Sequence, residues 1–310
     1  MRVLLTGSTG FIGGALAEAL KARGDLVVPA RRASSSLSPG EVGIDLSGGR
    51  LDTSRLPGGT LEGIDASVHL AGAPILGRWS ATKREAVMSS RVGVGELLVA
   101  SFKVLERKPS VHVTGSAVGI YGDRGEEVLD EASANGHLAG GFLAEVCRAW
   151  DGAAEGAASL GIRTAALRSG VVLGNGGALR VQLPLFKLGL GAKLGSGHQW
   201  TSWISLADEV RAILHVIDEP GLSGPLNLTA PAPVRNSELT AVLAKAVHRP
   251  ALLTVPSRVL ELALGREVAN EMLLASQRVL PQRLEGSGFS FLHPDLASAV
   301  GAAAAGEAPV

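Results

Sequence analysis

The chain has 310 residues, of which 46% are hydrophobic and 19% charged, and this composition is typical of a globular protein with a sizeable core. Basic and acidic side chains number 29 each, so no excess positive charge is available for a phosphate backbone, and nucleic acid is excluded as a main partner. The single cysteine, Cys147, excludes an internal disulfide, and we expect no metal site.

No apolar stretch is sufficiently long and free of charge and glycine to span a bilayer. Met1 and Arg2 lead directly into the first predicted strand, and we expect no signal segment. We therefore expect a cytoplasmic protein with no membrane contact. The alanine-rich end, 300–310, is interpreted as a fraying helix and tail.

The first predicted turn, Gly7–Gly13, follows an apolar strand and opens an alanine- and leucine-rich helix. Its G-x-x-G-x-x-G spacing is related to the dinucleotide fingerprint, in which glycines let a pyrophosphate approach the backbone and the helix start supplies free N–H groups. A tight turn that only packs a helix on a strand is the alternative, but the position after the first strand favours dinucleotide binding. The predicted cofactor contacts here are Gly7, Thr9, Gly10, Phe11, Ile12 and Gly13.

The second predicted strand, Leu26–Ala30, ends at Arg31 and Arg32. In dinucleotide folds this strand end faces the adenosine ribose, where a carboxylate selects NAD by binding the 2′-hydroxyl. Two guanidinium groups at this place match a 2′-phosphate instead, so both arginines are predicted cofactor contacts and NADP(H) is the predicted cofactor. The alternative is two solvated arginines before the Ser34–Gly40 loop.

A third cofactor-binding segment is predicted where the strand Ala66–Leu70 ends in small residues, because a ligand can lie over such a backbone at the carboxyl edge of a parallel sheet. The predicted contacts are Leu70, Ala71 and Gly72. His69, inside the apolar strand, is interpreted as a core histidine.

A long helix is predicted from the N-cap Ser80 through Arg91 towards Arg107. Arg91 is followed by apolar residues that place it near the buried face, where an arginine requires an anion. We expect either a carboxylate or the cofactor's phosphates to fill that role.

Strands and helices continue to alternate as far as Gly170, which ends a strand and is a further predicted cofactor contact. This alternation predicts an α/β fold, a Rossmann-type doubly wound parallel sheet, with a smaller, mostly helical C-terminal lobe. The predicted domains are a cofactor-binding core, 1–174, with later returns to the sheet at about 204–230, and a substrate lobe, 175–310, that includes a helical domain, 250–295.

Beyond Gly174 the pattern becomes irregular, with an apolar stretch from Leu183 and a glycine- and tryptophan-rich loop at 195–203. The candidate substrate contacts are Trp79, Gln199 and Trp203, with the amide of Gln199 as a donor and acceptor. Alternatively, the loop tryptophans fill the interface between the sheet and the C-terminal part.

Further motifs accompany the glycine turn over nearly the whole chain: Leu70–Ala73, Ser90-Arg91, Ser116–Gly122, Arg168–Leu173, Ser202–Ile204 with Asp208, and Gln277–Pro281. With them the chain resembles the extended short-chain dehydrogenase/reductases, in particular an atypical branch described as epimerase family proteins. Its Pro250–His293 stretch resembles the small helical domain of unknown function that ends these proteins. The resemblance implies an NADP(H)-binding Rossmann domain under a smaller lobe.

Short-chain dehydrogenases usually carry Tyr-x-x-x-Lys on the helix after the fifth strand, but the single tyrosine, Tyr121, has Gly125 four positions later. The aligned pair on that helix, Phe142 and Val146, is apolar, and the atypical branch shares this departure. The predicted catalytic residues are therefore Ser116, as a hydrogen-bond donor to a substrate carbonyl, Tyr121 as proton donor, and Glu145 as a fallback. A structural role for Tyr121 is the alternative.

Two functions follow from this pattern. The first is an NADP-dependent oxidoreductase or epimerase, acting on an unknown carbonyl or nucleotide-sugar-like small molecule with substituted acid-base groups. The second is a catalytically weak or inactive NADP(H)-binding sensor that a partner reads. A homodimer is a possible assembly for either function.

Overall fold

The structure is a computed structural model that describes residues 1–33, 36–133 and 141–306. Its strands are β1 (Arg2–Thr6), β2 (Leu26–Arg32), β3 (Val42–Asp45), β4 (Arg50–Asp52), β5 (Ala66–His69), β6 (Val111–Ala117), β7 (Val128–Leu129), β8 (Arg163–Ser169), β9 (Val171–Leu173), β10 (Ala192–Leu194), β11 (Trp200–Thr201), β12 (Trp203–Ser205), β13 (Gly224–Leu228), β14 (Val234–Arg235), β15 (Leu253–Val255) and β16 (Arg278–Val279).

The α-helices are α1 (Phe11–Ala22), α2 (Ala81–Met88), α3 (Val94–Lys103), α4 (Phe142–Ala158), α5 (Gly177–Lys187), α6 (Leu206–Asp218), α7 (Asn236–Ala246), α8 (Ser257–Leu264), α9 (Arg266–Val268), α10 (Gln282–Gly286) and α11 (Leu296–Ala305). Two π-helical segments, Ser89–Gly93 and Ala269–Leu274, and two short 3₁₀ turns, Pro57–Gly59 and Val118–Tyr121, complete the described elements.

In the described residues an eight-stranded sheet has the order β13-β8-β6-β5-β1-β2-β3-β4. Every neighbouring pair is parallel except β3 and β4, which is the antiparallel pair at one edge. From β1 the strands follow in opposite directions across the sheet, β2 on one side and β5 on the other, and ligands of doubly wound sheets bind at such a switch point. The predicted Rossmann-type fold with a helical C-terminal part is confirmed.

The sheet is buried on both faces, as a parallel sheet with helices on each side requires. On one face Leu5 and Val113 pack with Ile213 of α6 and with residues of α1. On the other face Leu4 and Val28 pack against α3 and its surroundings. Burial on both faces explains the near-continuous apolar runs of the central strands.

Several elements differ from the predictions in extent. β2 continues through Arg32, so both arginines lie inside the strand. The long helix from Ser80 ends at Lys103 and is interrupted by the π-helical segment that holds Arg91. The apolar stretch near Leu183, predicted as irregular, belongs to α5, which contains an internal proline and packs its apolar side into the lobe core.

The alanine-rich end is ordered as far as the structure describes it. α11 begins at its N-cap, Asp295, whose side chain accepts a hydrogen bond from the Ser298 N–H, and it buries Ala299 and Val300 against the lobe core. The predicted helix at 300–310 thus begins earlier, at Leu296, and extends to Ala305, and the predicted tail, 307–310, lies outside the described part. None of the described helices has the length and apolar character needed to cross a membrane.

Candidate functional site

The Gly7–Gly13 turn packs so closely that side chains cannot replace its glycines. Gly7 has φ +75°, and a Cβ there would lie 2.8 Å from the carbonyl carbon and oxygen of Leu70. A Cβ on Gly13 would overlap the carbonyl oxygen of Gly7. The N-cap, Gly10, offers no side-chain cap to α1, so the first-turn amides remain for an anion.

Phe11 and Gly170 contact their surroundings in ways that the sequence does not indicate. The Phe11 ring lies against a second glycine loop, where a Cβ on Gly176 or Gly177 would come within 2.5 to 2.8 Å of it. A Cβ on Gly170 would lie 2.7 Å from the carbonyl oxygen of Ser202. The Phe11 side chain and the absence of a side chain at Gly170 are thus both required for packing. At these two positions the predicted contacts with the cofactor would be made by backbone atoms.

The predicted anion-binding residue Arg91 is buried below the exposed Gly72. A Cβ on Gly72 would lie 2.7 Å from the Arg91 Cζ atom. Nη1 donates to the carbonyl oxygens of Ala73 and Val87, both at 3.2 Å, while the buried Nε makes no hydrogen bond. Within the described residues no carboxylate pairs with this guanidinium, so of the two anions expected, a ligand's is favoured.

A buried hydrogen-bond chain joins the glycine turn to the Arg91 segment. Thr6 Oγ1 accepts from the Ala71 N–H (3.1 Å) and lies 2.7 Å from His69 Nδ1, and His69 Nε2 lies 2.8 Å from the Arg91 carbonyl oxygen. Since that oxygen can only accept, Nε2 carries the proton. Burial lowers the pKa of His69 to about 4, so the imidazole is neutral and structural, as expected.

The two arginines of β2 lie on opposite faces of the strand, because successive side chains alternate. Arg31 Nη1 lies 3.3 Å from Glu41 Oε1, whereas Arg32 is exposed. The hydrogen bond from the Ser38 N–H lowers the pKa of the Glu41 carboxyl, and the Arg31 guanidinium lowers it further. The guanidinium of Arg31 thus has an internal counter-ion.

Ser116, near the end of β6, is buried against α4. Its hydroxyl lies beside Cys147 and Asp151, without a hydrogen bond of regular geometry. Burial raises the pKa of Asp151, against the opposing effects of Ser116 and of Arg168, whose Nη2 lies 3.2 Å from Asp151 Oδ2. Burial also raises the pKa of Cys147 to about 12, which makes that thiol unreactive.

Tyr121 is fully buried, and its hydroxyl is held by protein groups. It lies 2.8 Å from Asn227 Oδ1 and 3.0 Å from the Asp130 carbonyl oxygen, and it accepts from Arg168 Nη1 at 3.0 Å. Burial raises its pKa. The geometry therefore favours the alternative, a structural tyrosine, over the predicted proton donor, because protein groups already engage this hydroxyl.

The remaining acid-base candidate, Glu145, lies on the exposed side of α4. Its helix neighbours Phe142 and Val146 pack into an apolar cluster with Val87 and Trp79, whose ring meets that of Phe142 edge to face at 5.1 Å. Because residues three apart lie near one another on a helix, the exposed Glu145 borders the face that carries the acid-base pair in the dehydrogenases, and its fallback role stays a prediction.

The structure separates the three candidate substrate contacts. Trp203 is fully buried in the lobe core and donates its indole N–H to the Ala232 carbonyl oxygen, so it has a packing role. Gln199 is buried, and its amide nitrogen donates to the carbonyl oxygens of Leu194 and Leu273, both at 3.1 Å. Only Trp79, which is partly exposed, remains available to a substrate.

Some polar residues near the strand ends were missed by the sequence analysis. Glu209 is buried, accepts from the Ser169 hydroxyl at 2.6 Å, and has a pKa that burial raises to about 8. Glu271 of the C-terminal part accepts the N–H groups of Phe142 and Leu143 at the start of α4. The position of Glu209 in the first turn of an apolar helix could have indicated its burial. No local sequence feature indicates the contacts of Glu271.

The comparisons with known proteins agree with this geometry. The sequence profile of the NAD-dependent epimerase/dehydratase family matches residues 3–227, and that of a domain of unknown function, DUF1731, matches residues 255–303. The chain therefore belongs to the NAD-dependent epimerase/dehydratase family, and the predicted resemblance is confirmed.

Similar proteins have nearly the same length. The chain is 42% identical to the Mycobacterium tuberculosis epimerase family protein MT2273 over 301 residues, 96% of each chain. The human epimerase family protein SDR39U1 was crystallised with NADPH; it is 33% identical, with a TM-score of 0.87 over 98% of this chain and 99% of that one. UDP-N-acetylglucosamine 4-epimerase of Bacillus cereus, at 17% identity and TM-score 0.73 over 98% and 96%, shares the fold.

Proposed function

We propose that this chain binds NADP(H) across the switch point of its sheet. The observation that carries the proposal is the glycine turn against Leu70, with an open helix start on one side and, on the other, the Arg91 guanidinium below Gly72, which has no carboxylate partner among the described residues. A dinucleotide phosphate chain fits both features. The arginines of β2 and the NADPH in the crystal structure of the human relative support the phosphorylated cofactor.

We further propose an oxidoreductase or epimerase reaction on a small carbonyl or nucleotide-sugar-like compound. The bound nicotinamide would supply or accept the hydride. Of the three predicted acid-base residues we retain Ser116, with Asp151 behind it as the group that holds or releases a proton. Tyr121 is not retained, because it is enclosed in the core, and the exposed Glu145 remains the fallback.

A second function, an NADP(H)-binding sensor with little or no turnover, is favoured by one observation. The helix face that carries the acid-base pair in the dehydrogenases presents Phe142 and Val146, and neither side chain transfers a proton. In this alternative the cofactor sets a shape that a partner protein reads.

A single-turnover experiment separates the two functions. The protein is loaded with NADPH, and the nicotinamide absorbance is followed after mixing with a panel of carbonyls and nucleotide sugars. NADPH consumption that falls at least tenfold in Ser116→Ala and Asp151→Asn, but not in the exposed control variant Glu238→Gln, supports the enzyme. Tight NADPH binding without consumption, together with no reduction of NADP⁺ when the NADP⁺-loaded protein is mixed with the nucleotide sugars, supports the sensor, and absence of NADPH binding contradicts both.

A further inference from the structure

We propose that the substrate site beside the cofactor edge takes a planar apolar anion, such as an aromatic carboxylate, rather than a hydroxyl-rich sugar. Arg84 is assigned as its anion-binding residue, and the paired rings of Trp79 and Phe142 are assigned as its apolar wall. This inference rests on the proposed function, since it names the substrate class of that site. It is argued from the contacts, the exposure and the charge of these side chains.

The wall is apolar and partly open. Val87, Phe142 and Val146 are buried, whereas Ile75 and Trp79 in front of them are partly exposed. The Trp79 indole N–H already donates to the Ile75 carbonyl oxygen at 2.9 Å, so the ring offers only its carbon surface to a ligand. Such a surface favours a flat apolar group.

Arg84 places a positive charge on this wall. Its guanidinium carbon lies 4.4 Å from the centre of the Phe142 ring and 5.7 Å from that of Trp79. Its counter-ion is Glu267 of the C-terminal part, whose side chain is 59% exposed. An exposed ion pair contributes little stability, so a ligand carboxylate can replace that of Glu267 on the same guanidinium.

The wall lies one helical turn from the proposed cofactor edge. The Val87 carbonyl oxygen accepts from Arg91 Nη1 at 3.2 Å, and the Arg91 guanidinium lies directly below Gly72. We therefore place the aromatic ring of the ligand against Trp79 and its carboxylate on Arg84.

Two polar side chains that could recognise sugar hydroxyls are already engaged by backbone groups. The Ser90 hydroxyl accepts from the Ala73 N–H at 2.8 Å and donates to the Val87 carbonyl oxygen at 3.1 Å. The Gln199 amide is engaged by backbone carbonyls, and Phe142 and Val146 are apolar. Buried polar recognition of several hydroxyls would require partners that these side chains lack.

The test is a calorimetric titration of the full-length protein saturated with NADP⁺, which cannot reduce a carbonyl. Benzoylformate, an aromatic ketocarboxylate, is the probe, and UDP-glucose is the sugar probe. We expect benzoylformate to bind, Arg84→Gln to weaken it at least tenfold, and Glu267→Gln to tighten it. Arg50→Gln, which removes an exposed arginine on the edge strand β4, is the matched control and leaves binding unchanged.

Three results would overturn the inference. The first is binding of UDP-glucose in preference to benzoylformate, and the second is benzoylformate binding that Arg84→Gln leaves unchanged. The third is that benzoylformate does not bind to the protein that holds NADP⁺. The preceding NADP⁺ titration tests the proposed function separately. If NADP⁺ fails to bind, the same probes titrated into the protein alone still decide whether Arg84 forms an anion site.

Discussion

Glu209 and His69 show how burial sets the charge of single residues near the carboxyl ends of the strands. Both side chains are fully enclosed, and burial disfavours the charged form of each. The carboxyl of Glu209 is therefore protonated at neutral pH and the imidazole of His69 is neutral. Neutral groups of this kind hold the strand ends together without adding charge beside an anionic ligand.

Glu209 predicts a pH-dependent stability difference. Because its pKa is about 8 in the folded protein, above the ordinary 4.5, the unfolded chain loses the proton first, and the folded state loses stability as pH rises from about 4.5 to 8. Glu209→Gln abolishes this loss and keeps an acceptor for Ser169. We expect the variant to match wild type at pH 5 and to be more stable by roughly 2–4 kcal/mol at pH 9.

Urea denaturation at the two pH values measures this difference, and titrations elsewhere in the chain cancel between the two proteins. An equal difference at pH 5 and pH 9 would show that Glu209 is ionised in the folded state.

The arginines of β2 give the second prediction at this scale. Arg31→Ala combined with Arg32→Ala removes both guanidinium groups from the end of the strand, so NADPH should bind at least tenfold more weakly by calorimetry, while NADH affinity stays unchanged. The control is Glu41→Gln, which removes the counter-ion of Arg31 and keeps both arginines. Unchanged NADPH affinity in the double variant would contradict the 2′-phosphate assignment.

At the scale of elements, the start of α4 depends on a residue from the other end of the chain. The Glu271 carboxylate accepts from the N–H groups of Phe142 and Leu143 at 3.2 and 2.8 Å, where the helix dipole also favours a negative charge. Gly141 permits this approach, since a Cβ there would overlap the carboxylate. The C-terminal part thus fixes the start of α4, the helix that carries Cys147 and Asp151 beside Ser116.

Removal of this cap should destabilise the protein. We expect Glu271→Ala to lower the free energy of unfolding by about 1–2 kcal/mol, because two amide N–H groups lose their partner, and Glu271→Gln to lose less, because one acceptor oxygen remains. Urea denaturation of the three proteins measures the order. An alanine variant as stable as wild type would show that water replaces the carboxylate without cost.

Local patterns predicted those parts of the molecule whose causes lie within a few residues of one another. The Gly7–Gly13 turn and the strand-helix alternation are examples, because turn and periodicity are local properties. The hydrogen bonds of Tyr121 to Arg168 and Asn227, 47 and 106 residues away, and the counter-ion that Glu267 provides for Arg84, are set by tertiary packing. Sequence spacing therefore identified Tyr121 as a candidate but could not show that its hydroxyl is enclosed.

At the scale of the whole molecule, the segment before α10 is built into the sheet domain. The Ser202 hydroxyl bonds with both the Val279 N–H and the Gln277 carbonyl oxygen at 2.8 Å, and Asn227 Nδ2 donates to the Leu280 carbonyl oxygen at 3.0 Å. Asn227 also holds Tyr121. The region matched by the domain of unknown function and the strand ends that we assign to the cofactor are therefore parts of one hydrogen-bonded structure.

The most direct test of the account is a calorimetric titration of the wild-type chain with NADPH and with NADH. We predict that NADPH binds at one site per chain, at least tenfold more tightly than NADH, because the helix start, Arg91 and the β2 arginines together accommodate the phosphates. The matched variant Gly13→Val, whose side chain would occupy the place of the Gly7 carbonyl, should abolish binding of both. Equal affinity for the two nucleotides would contradict the NADP(H) assignment, and no binding of either would contradict the site itself.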